Sequence, residues 1–290
     1  MSEVRMLRRI ADELARASGE GLGPDEATAL WATASGLNPA EVWLRREAEA
    51  SPDVVLRFRK AVEQRKKGVP LAYAAGRVGF RTLDLLMDPR ALIPRPETEG
   101  LVELVLKHGK REAGSGKRGI VADIGTGSGC IALSLAVEGD FERVVGVERS
   151  AEAAALAREN VARIAPKTPV EIREGNLLAP LVDKGERGIY RVIVANPPYL
   201  TESEFAELDA SVRDFEPREA LVSGVSGLDA TRGIFAGAGI LLEPGGLLAL
   251  EIDERRSEAV RDLGREYGWN VAIHKDVFDC PRYALSIKED

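Results

Sequence analysis

Between the apolar run Ile120-Val121-Ala122 and a helical pattern beginning at Cys130 stands Asp123-Ile124-Gly125-Thr126-Gly127-Ser128-Gly129. Glycines at alternate positions let a backbone turn sharply out of a strand and approach a ligand without interference from Cβ atoms. A turn of this kind places a strand and the helix after it in one α/β layer, and the rest of the chain repeats the pattern. Strand-like segments at 143–148, 170–176 and 190–199 alternate with helical ones, the clearest being 150–164. Further on come a helix at 228–242, a strand at 246–253, another helix, and two strands near 270–276 and 282–288. Alternation predicts a mostly parallel sheet covered by helices on both faces. With no helix between them, the last two strands are expected to pair as an antiparallel hairpin at the sheet edge.

The preceding part differs. From Met1 to about Tyr73 apolar residues recur at helical spacing, as in Val4, Leu7, Ile10, Leu14 and in Val54, Val55, Phe58, Val62. Breaks at 19–24, at Gly36-Leu37-Asn38-Pro39 and at Ser51-Pro52 predict four or five short helices. Residues 1–75 are thus read as a helical domain that docks substrate, 76–93 as a β-hairpin linker, and 94–290 as the catalytic domain. Pro94-Arg95-Pro96 should open a helix, since proline suits the first turn and Glu97 and Glu99 complement its dipole. The basic run Arg57 to Lys67 reads as a solvated helix face.

Composition narrows the function. No stretch approaches the roughly 18 apolar residues of a membrane span, and the first residues lack the apolar core of a secretory signal. A cytoplasmic location with no membrane partner is expected. A formal net charge of -7 argues against a protein that holds nucleic acid through its phosphates. The two cysteines, Cys130 and Cys280, read as packing residues, and the lone His108 and His274 give neither a triad nor a metal site. No metal is expected.

A glycine-rich turn alone is weak evidence. It gains weight because Glu148 ends the second strand, where a carboxylate would accept hydrogen bonds from ribose hydroxyls. A dinucleotide fingerprint needs its third glycine three positions after the second, whereas here the glycines fall at 125, 127 and 129. That spacing favours S-adenosyl-L-methionine, which has no pyrophosphate. The second motif, Asn196-Pro197-Pro198-Tyr199, follows the apolar strand Val192-Ile193-Val194-Ala195 and so leaves the carboxyl edge of the sheet. An amide or exocyclic NH2 is a poor nucleophile because its lone pair is delocalised. The Asn196 side-chain oxygen and the Pro197 carbonyl can each accept one of its N–H bonds, aiming the lone pair and stabilising the developing positive charge. Pro197 and Pro198 stiffen the turn, and the Tyr199 ring can pack on a flat substrate group.

On these residues the chain resembles the HemK/PrmC family of N5-glutamine methyltransferases. The resemblance continues through Pro70-Leu71-Ala72-Tyr73, Ile93-Pro94-Arg95-Pro96-Glu97-Thr98-Glu99, the 123–133 segment, Phe215-Glu216-Pro217-Arg218-Glu219-Ala220-Leu221 and Gly227-Leu228-Asp229. It implies a class I Rossmann-like sheet and methylation of the glutamine in the Gly-Gly-Gln motif of class I peptide chain release factors, with S-adenosyl-L-homocysteine as by-product. It implies that Asp123 and residues Gly125, Thr126, Gly127, Ser128 and Gly129 form the cofactor loop with Glu148, that Asn176 and Leu177 lie near the adenine, and that Asn196 meets both cofactor and substrate. Arg95 and Glu97 would border the substrate with Asn196 to Tyr199. The family commonly carries Asp where this chain has Glu148 and Asn176, and Gly where it has Asp253. A monomer is expected. Glutamine methylation of a ribosomal protein, amino-methylation of a nucleic-acid base, and a non-catalytic cofactor-binding module remain the alternatives.

Overall fold

A computed structural model of the chain describes residues 9–112 and 119–289. Val4 and Leu7 of the expected first helix lie outside the described residues. The chain divides into two compact units.

The first unit contains helices α1 (Ile10–Gly19), α2 (Pro24–Ser35), α3 (Pro39–Leu44), α4 (Pro52–Lys66) and α5 (Leu71–Ala75), together with Met87–Pro89 and Asp209–Phe215. Local chemistry sets the helix ends. Proline occupies the first turn of α2, α3 and α4, Asn38 accepts from Glu41 N while Glu41 reaches back to Asn38 N, and Gly36 ends α2 at φ 74°. Trp31 and Phe58 meet edge to face at 5.0 Å in the core of this unit. In the basic run of α4 and its C-terminal end, Arg57, Lys60, Lys66 and Lys67 are exposed, as a solvated helix face requires, and part of the run is also paired. Arg59 forks onto the buried Glu13, Arg65 reaches Glu26, and Arg57 donates to the Ala34 carbonyl. Those cations are occupied within the unit.

The second unit takes in Gly79–Leu86, Arg90–Leu208 and Glu216–Asp290. Strands β1 (Arg77–Phe80) and β2 (Leu83–Leu86) form the anticipated hairpin, and α6 (Pro96–Glu112) starts with proline at its first position. Then follow β3 (Ile120–Ile124), α7 (Cys130–Glu138), β4 (Arg143–Glu148), α8 (Ala151–Ile164), β5 (Val170–Glu174), α9 (Ala179–Val182) and β6 (Tyr190–Ala195). The short helix α10 (Glu202–Ala206) and then α11 (Ala210–Arg213), which belongs to the first unit, precede α12 (Asp229–Leu241), β7 (Leu242–Glu251), α13 (Ser257–Glu266), β8 (Ala272–Lys275) and β9 (Pro281–Ile287).

Seven strands form one sheet in the order β5-β4-β3-β6-β7-β9-β8. The first five run parallel, and β9 is antiparallel to both neighbours. The last strand of the chain therefore lies inside the sheet and β8 forms the edge. Val121, Val144, Val145, Val192, Ile193 and Val194 are all fully buried, the continuous apolar runs of strands covered on both faces. From β3 the chain adds β4 and β5 on one side, then returns to place β6 on the other. This reversal opens a crevice beyond the carboxyl ends of β3 and β6, where open α/β sheets bind ligands. Both sequence motifs emerge there. No described helix is long and apolar enough to cross a membrane.

Candidate active site

The crevice holds a cavity of about 390 Å³, and its walls join the two motifs. Gly125, Gly127, Glu148, Asn176, Leu177, Asn196 and Pro198 line it. Asp123, Thr126, Ser128, Gly129, Pro197, Tyr199, Arg95 and Glu97 are not among its lining residues, and of these Asp123, Thr126 and Ser128 are buried in the protein.

The buried set explains the loop's shape. Asp123 is fully buried, and its Oδ2 accepts from Thr126 Oγ1 at 2.6 Å and from Ala132 N at 3.0 Å, tying the strand end to the first turn of α7. Its place is beneath the loop, with Oδ1 left without a partner among the described residues. Burial pushes this carboxyl up to about 7. Gly125 N and Thr126 N both donate to the Val147 carbonyl, which fastens the loop to the end of β4. Gly125, Gly127 and Gly129 have φ of 73°, 56° and 84°. A Cβ on Gly125 would meet no protein atom within 4 Å, and one on Gly127 would meet only the Gly125 carbonyl at 4.0 Å. Side chains there would occupy the cavity that the two residues line.

Glu148 organises the opposite wall. Its Oε2 accepts from Gly127 N and its Oε1 from Ser150 N, both at 2.9 Å, while its own carbonyl accepts from Gly175 N. The carboxylate thus spans the glycine loop and the start of α8, and Gly175 brings Asn176 to the cavity. Leu177 follows at φ 48°, in the left-handed region.

Asn196 stands at the end of β6. Its Nδ2 donates to Thr98 Oγ1 at 3.1 Å, which leaves Oδ1 as the acceptor available to the cavity. Beyond it the backbone is pinned: Tyr199 N and Leu200 N both donate to the Leu221 carbonyl, and Ser223 N donates to the Leu200 carbonyl. This short ladder carries Val222 and Ser223 to the cavity wall. Desolvation pushes the Tyr199 phenol up to about 12, so it stays neutral. Arg95 pairs with the buried Glu216 at 2.7 Å, and Glu216 also accepts from Ile93 N. Arg95 is therefore a strut between two wall segments, and Glu97 offers its backbone carbonyl to Tyr283 Oη at 2.7 Å. Asp253, at the position of a family glycine, accepts from Arg255 N and pairs with Arg255 and Arg256.

Several working residues were missed in the sequence. Asn160 of α8 is fully buried, accepts from Leu86 N, and donates to the carbonyls of Leu86 and Ser128, so it braces the glycine loop. A polar residue among the apolar positions of a helical pattern was the available signal. Thr98 lies between Glu97 and Glu99, in a segment marked in the sequence by its charges. Cys130 is poorly suited to nucleophilic work, since desolvation pushes its thiol up to about 12. Among the described residues no cluster of His, Cys, Asp and Glu could hold a metal ion.

Comparison with known proteins points one way. Residues 5–76 match the family described as PrmC N-terminal domain, and residues 101–212 that described as Methyltransferase small domain. A protein of Moorella thermoacetica named Release factor glutamine methyltransferase is 41% identical over 244 residues, covering 84% of this chain and 83% of that one. A protein of the same name from Deinococcus radiodurans is 38% identical over 248 residues, covering 86% and 85%. Among solved structures, a methyltransferase from Pyrococcus furiosus superposes with a TM-score of 0.52 at 20% identity, covering 73% of this chain and 92% of that one.

Proposed function

The chain belongs to the release factor glutamine methyltransferase family, and from that premise we propose that it methylates the side-chain amide nitrogen of the glutamine in the Gly-Gly-Gln motif of class I peptide chain release factors. S-adenosyl-L-methionine is the methyl donor, leaving as S-adenosyl-L-homocysteine. The cavity fits it: two glycines give a wall that any Cβ would fill, and an acceptor-rich carboxylate stands beside them. Gly125, Gly127 and Glu148 would hold its ribose and amino-acid portions, and Asn176 and Leu177 its adenine. When bound, it supplies an electrophilic methyl group carried on a sulfonium.

The observation that carries the reading is the orientation of Asn196. With Nδ2 committed to Thr98, Oδ1 is left to accept from a substrate N–H. The Pro197 carbonyl accepts the second N–H of the same NH2 group. Held by both, the nitrogen pyramidalises with its lone pair toward the donor methyl, and the acceptors stabilise the charge that grows on it. No strong base is needed, because the proton is released from an already cationic nitrogen. Pro198 closes the wall, and Tyr199, held by Leu221, stiffens the turn.

One side chain cannot identify a protein among thousands. We assign the helical unit the docking of the release factor body, and a cytoplasmic site of action accords with such a substrate. The test is incubation with labelled S-adenosyl-L-methionine and, separately, a release factor, the same factor with its Gly-Gly-Gln glutamine replaced by alanine, a ribosomal protein and DNA. Label should enter only the unaltered release factor. Label in DNA or the ribosomal protein instead would overturn the assignment.

A further inference from the structure

The hydrogen bond that orients Asn196 is the first of a chain that runs away from the cavity into the protein. Thr98 Oγ1 accepts from Asn196 Nδ2, and the same hydroxyl hydrogen-bonds the Glu251 side chain. Thr98 and Glu251 are each 2% exposed. A hydroxyl has one proton to give, and the ionised Glu251 carboxylate takes it, so in that state the face of Thr98 turned to Asn196 can only accept. The amide nitrogen must then be the atom that faces Thr98, and the carbonyl the atom that faces away. Without this constraint the two ends of an asparagine amide are nearly equivalent in shape.

The rest of the fold holds Thr98 at that spot. It lies in the first turn of α6, whose backbone is fixed from the sheet side by Tyr283 of β9, whose hydroxyl donates to the Glu97 carbonyl. A Cβ on Gly100 would come within 2.1 Å of that hydroxyl, so glycine there allows the close approach. Tyr283 is paired in register with Glu251 across β7 and β9, which puts the carboxyl donor-seeker and the helix anchor on adjacent strands. Glu251 Oε2 has no partner among the described residues, and burial pushes the carboxyl up to about 7. Retaining a buried, half-satisfied carboxyl costs stability that a leucine would not.

We propose that Thr98 and Glu251 are positioning residues for methyl transfer, a two-member relay that locks the Asn196 amide with Oδ1 toward the substrate NH2. The inference rests on the amide-methylation reading of Asn196. Neither residue touches substrate or cofactor; both act through the asparagine. Removing the lock lets the amide present its own NH2 to the substrate in part of the population and leaves the rest less well aimed, and small misplacements of a reacting group cost up to about a hundredfold.

The test compares wild type, Thr98→Val, Thr98→Ser and Glu251→Leu in methylation of an intact release factor, with S-adenosyl-L-homocysteine affinity measured by calorimetry on the same preparations. Thr98→Val, which keeps the shape and removes the hydroxyl, should lower kcat by roughly tenfold to a hundredfold. KM for the release factor and affinity for S-adenosyl-L-homocysteine should stay within about threefold. Thr98→Ser should recover most of kcat, and Glu251→Leu should fall near Thr98→Val. The relay is refuted if Thr98→Val keeps the wild-type kcat, if Ser restores nothing, or if kcat and S-adenosyl-L-homocysteine affinity fall together. Wild type that binds S-adenosyl-L-homocysteine yet methylates no release factor would instead refute the reading on which the relay rests.

Discussion

Replacing Glu148 tests the cofactor site through a residue that also supports the loop, because the structure shows how each of its oxygens is used. Both accept from backbone N–H groups at 2.9 Å, Gly127 on one side and Ser150 on the other. Hydrogen bonds to a charged group contribute about 1.5 to 3 kcal/mol each. Glu148→Ala removes the acceptor that aims the Gly127 amide as well as the one offered to the ribose. Losing the equivalent of one such bond in the bound state weakens affinity by roughly tenfold to a hundredfold. Glu148→Gln is the sharper test. Its NH2 would face one of the two N–H groups, donor against donor, so the near-isosteric change should cost nearly as much as alanine. Glu148→Asp keeps two acceptor oxygens on a shorter arm and should bind within severalfold of wild type. Calorimetric titration with S-adenosyl-L-homocysteine reads all three. If Gln binds as tightly as wild type, or Ala within about twofold, the carboxylate does not act as an acceptor in the cofactor site.

Other consequences can be measured on the same protein. Gly127→Val should abolish binding of S-adenosyl-L-homocysteine, by placing methyl groups in the cavity from a backbone at φ 56°, while circular dichroism still reports a folded chain; retained binding would contradict the cradle. Glu251 has a folded-state value pushed up by burial to about 7 from an ordinary 4.5. Its contribution is fully present below about pH 4.5 and is lost as pH rises through 7, so Glu251→Gln should gain up to about 3 kcal/mol on wild type between pH 4.5 and 8.5. Denaturant unfolding that shows a pH-independent difference would refute this. Removal of residues 1–76 should leave S-adenosyl-L-homocysteine binding intact and raise KM for whole release factor at least tenfold; unchanged kinetics would remove the docking role.

Much of the fold could be read from the sequence because the constraint was periodic. Buried strands such as Val192-Ile193-Val194-Ala195 have to be apolar throughout, and the glycines of the loop have to occur where φ is positive. The strand order near the end was less legible: β9 enters between β7 and β8, a choice made by long-range pairing of Leu247 to Glu251 with Tyr283 to Ile287 rather than by any local pattern. The candidate site was legible in its types but less so in its roles. Asp123, Thr126 and Ser128 belong to the same motif as Gly125 and Gly127, yet they face the interior, and a motif does not say which members face a ligand. Arg95 and Glu97 stood out by charge, while Thr98 between Glu97 and Glu99 carries the bond to Asn196. Charge marks a residue in a sequence; a hydroxyl buried between two partners from distant segments leaves no such mark.

The central claim is that the Asn196 side chain holds the substrate amide in the transition state. Its most direct test is the single-turnover rate of Asn196→Ala with cofactor and release factor both saturating. Loss of one preorganised transition-state partner should slow the chemical step by roughly a hundredfold to a thousandfold, with S-adenosyl-L-homocysteine affinity changed only severalfold. A single-turnover rate close to that of wild type would contradict the account.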